Sequence, residues 1–285
     1  MKVVYTKSEL QHDLAQLRSD GKTIGLVPTM GALHRGHASL VEQSVANNAV
    51  TVVSVFVNPT QFNDKNDLLK YPRTLDVDCK LLDSLGVTFV FAPSVEEMYP
   101  QPDTRSFSFT PLDEVMEGLA RPGHFNGVAQ VVSKLFDIVA PTRAYFGEKD
   151  FQQLAIIKEM VKQLHYDLEI VGCPIIREAD GLAMSSRNAR LSSKQRNDAL
   201  QISKILFESV NYSKNHSVLE TEQYVCSAIG LANGLELDYF QIVDAQSLQQ
   251  VTEWEQASAI IGCITVYCGE VRLIDNIKYK SLKLN

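Results

Sequence analysis

The sequence predicts a doubly wound parallel α/β sheet followed by a smaller α+β domain. Three observations carry that expectation. Strand and helix signals alternate through the first 175 residues. The run Val50-Thr51-Val52-Val53-Ser54-Val55-Phe56-Val57 has the unbroken β-branched character of a strand buried on both faces. The pattern then changes at Cys173-Pro174, after which two helical segments precede three strand-like ones. Alternating strands and helices build parallel sheets with right-handed crossovers, and such sheets bind ligands beyond the carboxyl ends of their strands.

The elements follow in order. Thr23-Ile24-Gly25-Leu26-Val27 is a short apolar run and reads as a buried strand. From Gly36 to about Asn47, Leu40, Val41, Ser44 and Val45 fall on one side, which predicts a helix. Thr74 to Leu85 reads as a helix stopped by Gly86, with a strand at Val87–Phe91 beyond it. Val128, Val131, Val132, Leu135, Phe136 and Val139 form a long helical stripe, with Asn126 as its expected cap and Pro141 as its stop. Arg143–Phe146 and Leu168–Val171 read as strands on either side of a helix from Phe151 to Leu164. Past the change of character, helices are expected at about Ser193–Val210 and Leu219–Leu231, and strands at Leu237–Val243, Ala259–Cys268 and Val271–Ile277. The expected domains are 1–175 and 176–285.

Bulk properties exclude some functions. With 27 basic and 34 acidic residues the formal charge is −7, and no basic stripe is present, which argues against nucleic acid as a partner. An anionic small molecule is still compatible, because a local cluster can reverse the field in a cleft. The amino-terminal residues lack the apolar core of a signal peptide, and the apolar stretch Ala259–Cys268 is too short to span a bilayer. The five cysteines are scattered and odd in number, without a CxxC pair. They read as reduced thiols of a cytoplasmic protein with no membrane partner.

The chemistry-bearing residues form clusters at expected strand ends or at the domain junction. The first, Met30-Gly31-Ala32-Leu33-His34-Arg35-Gly36-His37, falls where a strand passes into a helix. Residues three apart on a first helical turn share a face, so His34 and His37 point the same way. Exposed amides and the positive helix pole make a phosphate the expected occupant. The second cluster, Gly147-Glu148-Lys149-Asp150, opens the helix that carries Gln152 and Gln153. The third is Met184-Ser185-Ser186-Arg187, in the loop beyond the junction. Lysine, arginine and hydroxyl donors on separate loops are what phosphoryl or nucleotidyl transfer needs, since positioning and charge stabilisation do most of the work there. The fourth, Asn58-Pro59-Thr60-Gln61-Phe62, adds an amide. Gln61 and Gln153 can hold hydroxyl, carboxylate or amine groups without fixing a charge.

Six ordered segments carry a resemblance: PTMGALHRGHASLV (28–41), VVSVFVNPTQF (52–62), YPRTLDVD (71–78), RPGHFNGVAQVV (121–132), YFGEKDFQQL (145–154) and READGLAMSSRNARLS (177–192). The chain resembles the pantothenate synthetase (pantoate–β-alanine ligase) family, which shares the HxGH motif with class I aminoacyl-tRNA synthetases. The resemblance implies a Rossmann-like first domain that binds ATP and pantoate, and a second domain that closes over the active site. It implies ATP-dependent joining of (R)-pantoate to β-alanine through a pantoyl adenylate, giving pantothenate, AMP and diphosphate in coenzyme A biosynthesis. Mg2+ is expected with ATP, its protein ligands being unknown, and a homodimer is expected.

By position, Met30, Gly31, Ala32, Leu33, His34, Arg35, Gly36 and His37 are expected at ATP, with His37 in an acid role. Gly147, Glu148, Lys149 and Asp150 are expected at the nucleotide, Lys149 on its phosphates. Ile176 is expected to touch adenine by its backbone, and Met184, Ser185, Ser186 and Arg187 to act as a KMSKS-type loop on the triphosphate. His34, His37, Lys149 and Arg187 form the expected catalytic set; Gln61 and Gln153 are expected at pantoate or β-alanine. Arg121 and His124 lie in a family segment without an assigned role. Ala38, Phe151, Asn126 and Gln130 depart from the usual family residues, which bears on packing. HxGH alone also suits a nucleotidylyltransferase that stops at a nucleotidyl product, or a non-catalytic nucleotide sensor; the amides Gln61 and Gln153 favour the ligase.

Overall fold

The computed structural model describes residues 1–280, and the chain divides into two units. The first comprises residues 1–109, 121–148 and 156–174, and the second residues 110–120, 149–155 and 175 onward. In chain order the strands are β1 (Lys2–Val4), β2 (Ile24–Thr29), β3 (Val50–Val55), β4 (Phe89–Phe91), β5 (Arg143–Gly147), β6 (Glu169–Cys173), β7 (Leu235–Asp244), β8 (Ile260–Cys268) and β9 (Val271–Lys280). The α-helices are α1 (Lys7–Ser19), α2 (Arg35–Asn47), α3 (Lys65–Lys70), α4 (Leu75–Ser84), α5 (Val95–Met98), α6 (Met116–Ala120), α7 (His124–Val139), α8 (Phe151–Gln163), α9 (Ser193–Tyr212) and α10 (Val218–Leu231).

The first unit is built on a six-stranded parallel sheet in the order β1-β4-β3-β2-β5-β6. The chain runs outward from β2 through β3 to β4 and returns to β5 on the other side of β2. The order therefore reverses between β2 and β5, the expected ligand edge of a doubly wound sheet. Gly25 shows how closely α2 lies on β2: a Cβ there would sit 2.2 Å from Ser44 Oγ. Val27, Val53 and Tyr145 face the same side and join Leu40, Val41 and Leu82 in one apolar cluster. Helix α7 is buried nearly all round, as suits a helix whose apolar stripe is this wide.

Asn126 does not cap α7. Gly123, at φ +81°, takes the cap position, and Asn126 lies inside the helix, where its Oδ1 accepts the Phe107 amide at 2.8 Å. Gln130, one turn on, donates to the carbonyls of Asp103 and Arg105. Both family departures thus fasten the extended 103–107 segment to α7. The elements the periodicity does not reveal, β1, α1, α3, α5 and α6, are short or, like α1, bury only a narrow stripe (Leu10 and Leu14).

The second unit holds an antiparallel sheet, β7-β8-β9. Its central strand is the long apolar stretch Ala259–Cys268, and alternate residues explain the length of that run. Ile260, Ile264, Val266 and Cys268 pack with α9 and α10. Ile261 and Cys263 face the other way, against Met116, Phe151 and Ala155. A sheet apolar on both faces needs two covers. The second cover is made by 110–120 and 149–155, which the linear reading assigned to the first domain. Cys263 and Cys268 are on opposite faces of β8, so their spacing does not make a metal pair. Burial pushes the Cys263 thiol up to about 12 and Cys173 to about 11, as expected of structural thiols. Among the described residues no helix is long and apolar enough to cross a membrane.

In the first unit, Arg105 holds the Asp103 carboxyl well below the usual carboxylate range, with help from Lys134. A depressed carboxyl contributes stability that is complete above its unfolded value of about 4 and is lost as pH falls toward the folded one. Asp103→Asn is expected to cost on the order of 1 kcal/mol at pH 7, the half-exposed Arg105 limiting the gain. Urea unfolding of both proteins from pH 7 to pH 3 checks this: the gap begins to close below about pH 4.

Candidate active site

The turn after β2 is set by two left-handed residues, Gly31 at φ +78° and Ala32 at φ +51°. The Asp78 carboxylate, buried at the first turns of α4, accepts the amides of Ala32 (3.0 Å) and Leu33 (2.9 Å) and the Thr74 hydroxyl (3.2 Å). The Gly31 amide donates to Thr29 Oγ1 at 3.2 Å. Consecutive amides presented to one anion form a concave nest, here filled by a side chain of the protein itself. This differs from the expectation that these amides face a phosphate. The loop before the helix is too tightly wound to leave them outward.

The two histidines are fastened to the same turn. His34 caps α2: its Nδ1 accepts the Gly36 amide at 3.1 Å, while His37 Nδ1 accepts the His34 amide at 3.3 Å. The ring centroids are 4.0 Å apart. An Nδ1 that accepts an amide carries no hydrogen, so in this orientation the neutral form of either ring is the one with its hydrogen on Nε2.

Beyond β3, the buried Asn58 organises Gln61. Asn58 Nδ2 donates to Gln61 Oε1 (3.0 Å) and to the Gly127 carbonyl (3.1 Å), and its Oδ1 accepts the Tyr99 hydroxyl (2.8 Å). That fixes which end of the Gln61 amide is which, and Gln61 Nε2 lies 3.4 Å from Met30 Sδ. Gly127 is required for this approach, since a Cβ there would sit 2.4 Å from the Thr60 carbonyl. Arg121 and His124, left without a role by the sequence, hold the Gln61 backbone. Arg121 Nη1 lies 3.2 Å from His124 Nε2, and His124 Nδ1 lies 2.8 Å from the Gln61 carbonyl. A cleft of about 280 Å³ adjoins Met30 and Gly31 and is lined also by Phe56, Arg73, Thr74 and Asp78. Gly147 and Glu148 leave the end of β5 in this unit.

Lys149 and the residues that follow belong to the second unit. Residues 148–150 form one 3-10 turn ahead of α8. Lys149 Nζ is 3.9 Å from Asp150, and the Lys149 carbonyl accepts Asn276 Nδ2 at 3.0 Å. Gln152 is buried: it donates to the carbonyls of Leu112 and Val115 and accepts the Glu117 amide. Gln153, its neighbour, is half-buried. The Ile176 carbonyl accepts the Met184 amide at 3.0 Å, closing the 176–184 loop. Ser185 caps the 3-10 turn Ser186–Arg190 by accepting the Arg187 amide. The expected residues thus form two sets, one per unit. Sequence reasoning missed Asp78, Tyr99 and Asn276, and it named Asn58 only within the cluster valued for the Gln61 amide. Asp78 lies inside one of the ordered family segments, but as a buried carboxylate it gave no separate signal.

Residues 2–278 match the family described as Pantoate-beta-alanine ligase. The chain belongs to that family. The pantothenate synthetase of Phocaeicola vulgatus is 69% identical over 98% of this chain and 100% of its own length, and that of Bacteroides thetaiotaomicron 68% identical over 99% and 100%. Among solved structures, the pantothenate synthetase of Thermus thermophilus superposes with a TM-score of 0.93 at 42% identity, covering 99% of this chain and 100% of that one. A pantoate-beta-alanine ligase from Francisella tularensis, complexed with beta-gamma ATP and beta-alanine, gives 0.82 at 35% identity, covering 99% and 98%. The chain is therefore an enzyme, a ligase of the pantoate–β-alanine ligase family.

The Asp78 nest yields a test. Asp78→Asn turns an accepting oxygen into an NH2 facing amide donors, and losing a charged acceptor at a buried amide costs roughly 2 kcal/mol. The variant is expected to unfold at lower urea and to lose activity with the displaced histidines. Unaltered activity at full stability counts against Asp78 as the support of the turn.

Proposed function

We propose that this chain joins (R)-pantoate to β-alanine through a pantoyl adenylate, with release of diphosphate and AMP. The observation that carries the reading is the pair of histidine rings, 4.0 Å apart, fastened to the turn at the end of β2, where the strand order reverses. In the first step a pantoate carboxylate oxygen bonds to the α-phosphorus of ATP and the bond from that phosphorus to the bridging oxygen breaks, so diphosphate leaves. Residues 30–37 hold the nucleotide, His34 and His37 donating to phosphate oxygens. Lys149 and Arg187, with the hydroxyls of Ser185 and Ser186, stabilise charge on the triphosphate as it shifts. Gly147, Glu148 and Asp150 belong to the nucleotide site, and Ile176 meets adenine by its backbone. In the second step the β-alanine amine bonds to the activated carbonyl carbon, the carbon–oxygen bond to AMP breaks and the amine gives up a proton. Gln61, with its amide oriented by Asn58, and Gln153 hold the uncharged and carboxylate parts of the substrates.

Mg2+ enters in this reading as part of the Mg·ATP substrate. Among the described residues no group of three or more His, Cys, Asp or Glu side chains converges. Magnesium commonly binds through substrate phosphates and retained waters. The family resemblance supports a homodimer, and the five unpaired cysteines support a cytoplasmic setting.

The experiment is product analysis. Purified protein with Mg·ATP and pantoate alone should exchange labelled diphosphate into ATP, and adding β-alanine should release AMP and pantothenate together. A stable nucleotidyl product without an amide, or exchange that ignores pantoate, overturns the assignment.

Lys149→Ala is expected to lower the adenylation rate by a factor on the order of 10² to 10³, the usual cost of one donor to developing charge. Its melting temperature should hardly move, since its exposed-partner pair with Asp150 is worth under about 1 kcal/mol. Exchange kinetics and a thermal melt read both.

A further inference from the structure

Strand β9 is the edge of the second unit's sheet, and its successive side chains point to opposite faces. At Asp275-Asn276 those two faces hold two different segments. Asp275, buried, takes a fork from Arg177: Nη1 to Oδ2 at 2.6 Å and Nη2 to Oδ1 at 2.9 Å. Arg177 also donates to the carbonyls of Gly181 (3.2 Å) and Asn276 (3.3 Å) and lies over the Phe207 ring of α9. Arg177 follows Ile176, whose carbonyl closes the loop onto Met184, and pairs with Ala183 in an isolated bridge. Asp275 therefore ties down the base of the loop that leads into 184–187.

Asn276, also buried, faces the other way. Its Nδ2 donates to the Lys149 carbonyl at 3.0 Å, and its own amide donates to Asp275 Oδ1 at 2.8 Å. Four residues earlier on the same face, Arg272 grips Glu117 through both Nη atoms at 2.7 Å. The Glu117 amide in turn donates to Gln152, on the first turn of α8. The turn bearing Lys149 is thus fixed to β9 directly through Asn276 and indirectly through Arg272.

We propose that Asn276 is a positioning residue for the ligase reaction: it sets the Lys149 backbone, while Asp275 next to it sets the loop bearing Ser185, Ser186 and Arg187. Two adjacent residues on one rigid strand thereby fix the spacing between two groups of cationic and hydroxyl donors. This rests on the reading that Lys149 acts on the phosphates. The bonded carbonyl holds the short turn that carries Lys149 against β9, so freeing it loosens the backbone from which the ammonium is presented. A misplacement of about 1 Å in such a group typically costs up to roughly 10²-fold in rate.

The test is a cycle of Lys149→Ala, Asn276→Ala and the double variant, read by pantoate-dependent ATP–diphosphate exchange. Asn276→Ala is expected to slow exchange by roughly 10- to 100-fold while KM for β-alanine in the full reaction stays within about twofold. The double variant should be no slower than Lys149→Ala alone, because coupled residues do not add. Exchange by Asn276→Ala at the parental rate, or losses that multiply in the double variant, overturns the positioning role. Exchange by Lys149→Ala at the parental rate overturns the role of Lys149 itself, and that result is read independently of Asn276. If Asn276→Ala does not accumulate as folded protein, Asn276→Asp reads the same bond, since it replaces the donating amide with a carboxylate of equal size. Slowed exchange in that variant supports the proposal, and parental exchange overturns it.

Discussion

The geometry of the first unit's site depends on a carboxylate placed inside a backbone turn. Ala32 in the left-handed region costs about 1–2 kcal/mol for a residue with a side chain. Hydrogen bonds to a charged acceptor contribute about 1.5–3 kcal/mol each, and Asp78 accepts two from the turn and one from Thr74. The attraction exceeds the strain, so the turn is shaped before any ligand arrives. The same winding sets the start of α2, where His34 and His37 each commit Nδ1 to an amide of the turn. A site formed in advance has little ordering left to do on binding, which is what electrostatic stabilisation of a transferring phosphoryl group requires.

The second unit reaches the same end by another route. Its sheet is apolar on both faces, and α9 and α10 cover only one of them. Covering the other draws in two segments that lie far apart in the sequence. Burial alone would leave their orientation loose, because hydrophobic contact has no direction. The direction comes from Glu117, which accepts from Arg272, Tyr239 and Thr265 at 2.7 to 3.2 Å. A buried ion pair adds little net stability, but one with its oxygens this fully bonded specifies a single arrangement. Burial near Glu117 accordingly pushes the Tyr239 phenol far up, keeping it a donor.

Where the chain repeats a period, the sequence was legible. Strands β2 to β6 and helices α2, α4 and α7 to α10 follow from runs of apolar residues that one period describes, and the family segments located His34, His37, Gln61, Lys149 and Arg187. What could not be read is set by contacts without a period. Asn126 looks like a cap because it precedes an apolar stripe, yet an extended strand of backbone claims its oxygen. The amides of Ala32 and Leu33 look available because nothing nearby in sequence would take them; the carboxylate that does is more than forty residues on. Residues 110–120 and 149–155 read as parts of the first domain because the need they fill, the bare face of β8, arises over a hundred residues later.

The tautomers constrain what the histidines can do in the proposed reaction. The family resemblance gives His37 an acid role, and a full proton transfer from it needs the doubly protonated ring. Adding a hydrogen to Nδ1 would remove the acceptor that now takes the His34 amide, and that amide sits at the cap of α2. A neutral ring that donates through Nε2 asks for no such change. Adenylation does not require a proton either: a carboxylate attacks, diphosphate leaves, and negative charge is redistributed over phosphate oxygens. In the proposed reaction, fixed hydrogen-bond donors answer that need, with Lys149 and Arg187 as the proposed source of formal charge. The proton of the overall reaction is lost only in the second step, from the amine of β-alanine. In that reading the first step falls to groups that hold still, and in the first unit His34, His37 and Gln61 are each hydrogen-bonded to a neighbouring polar group.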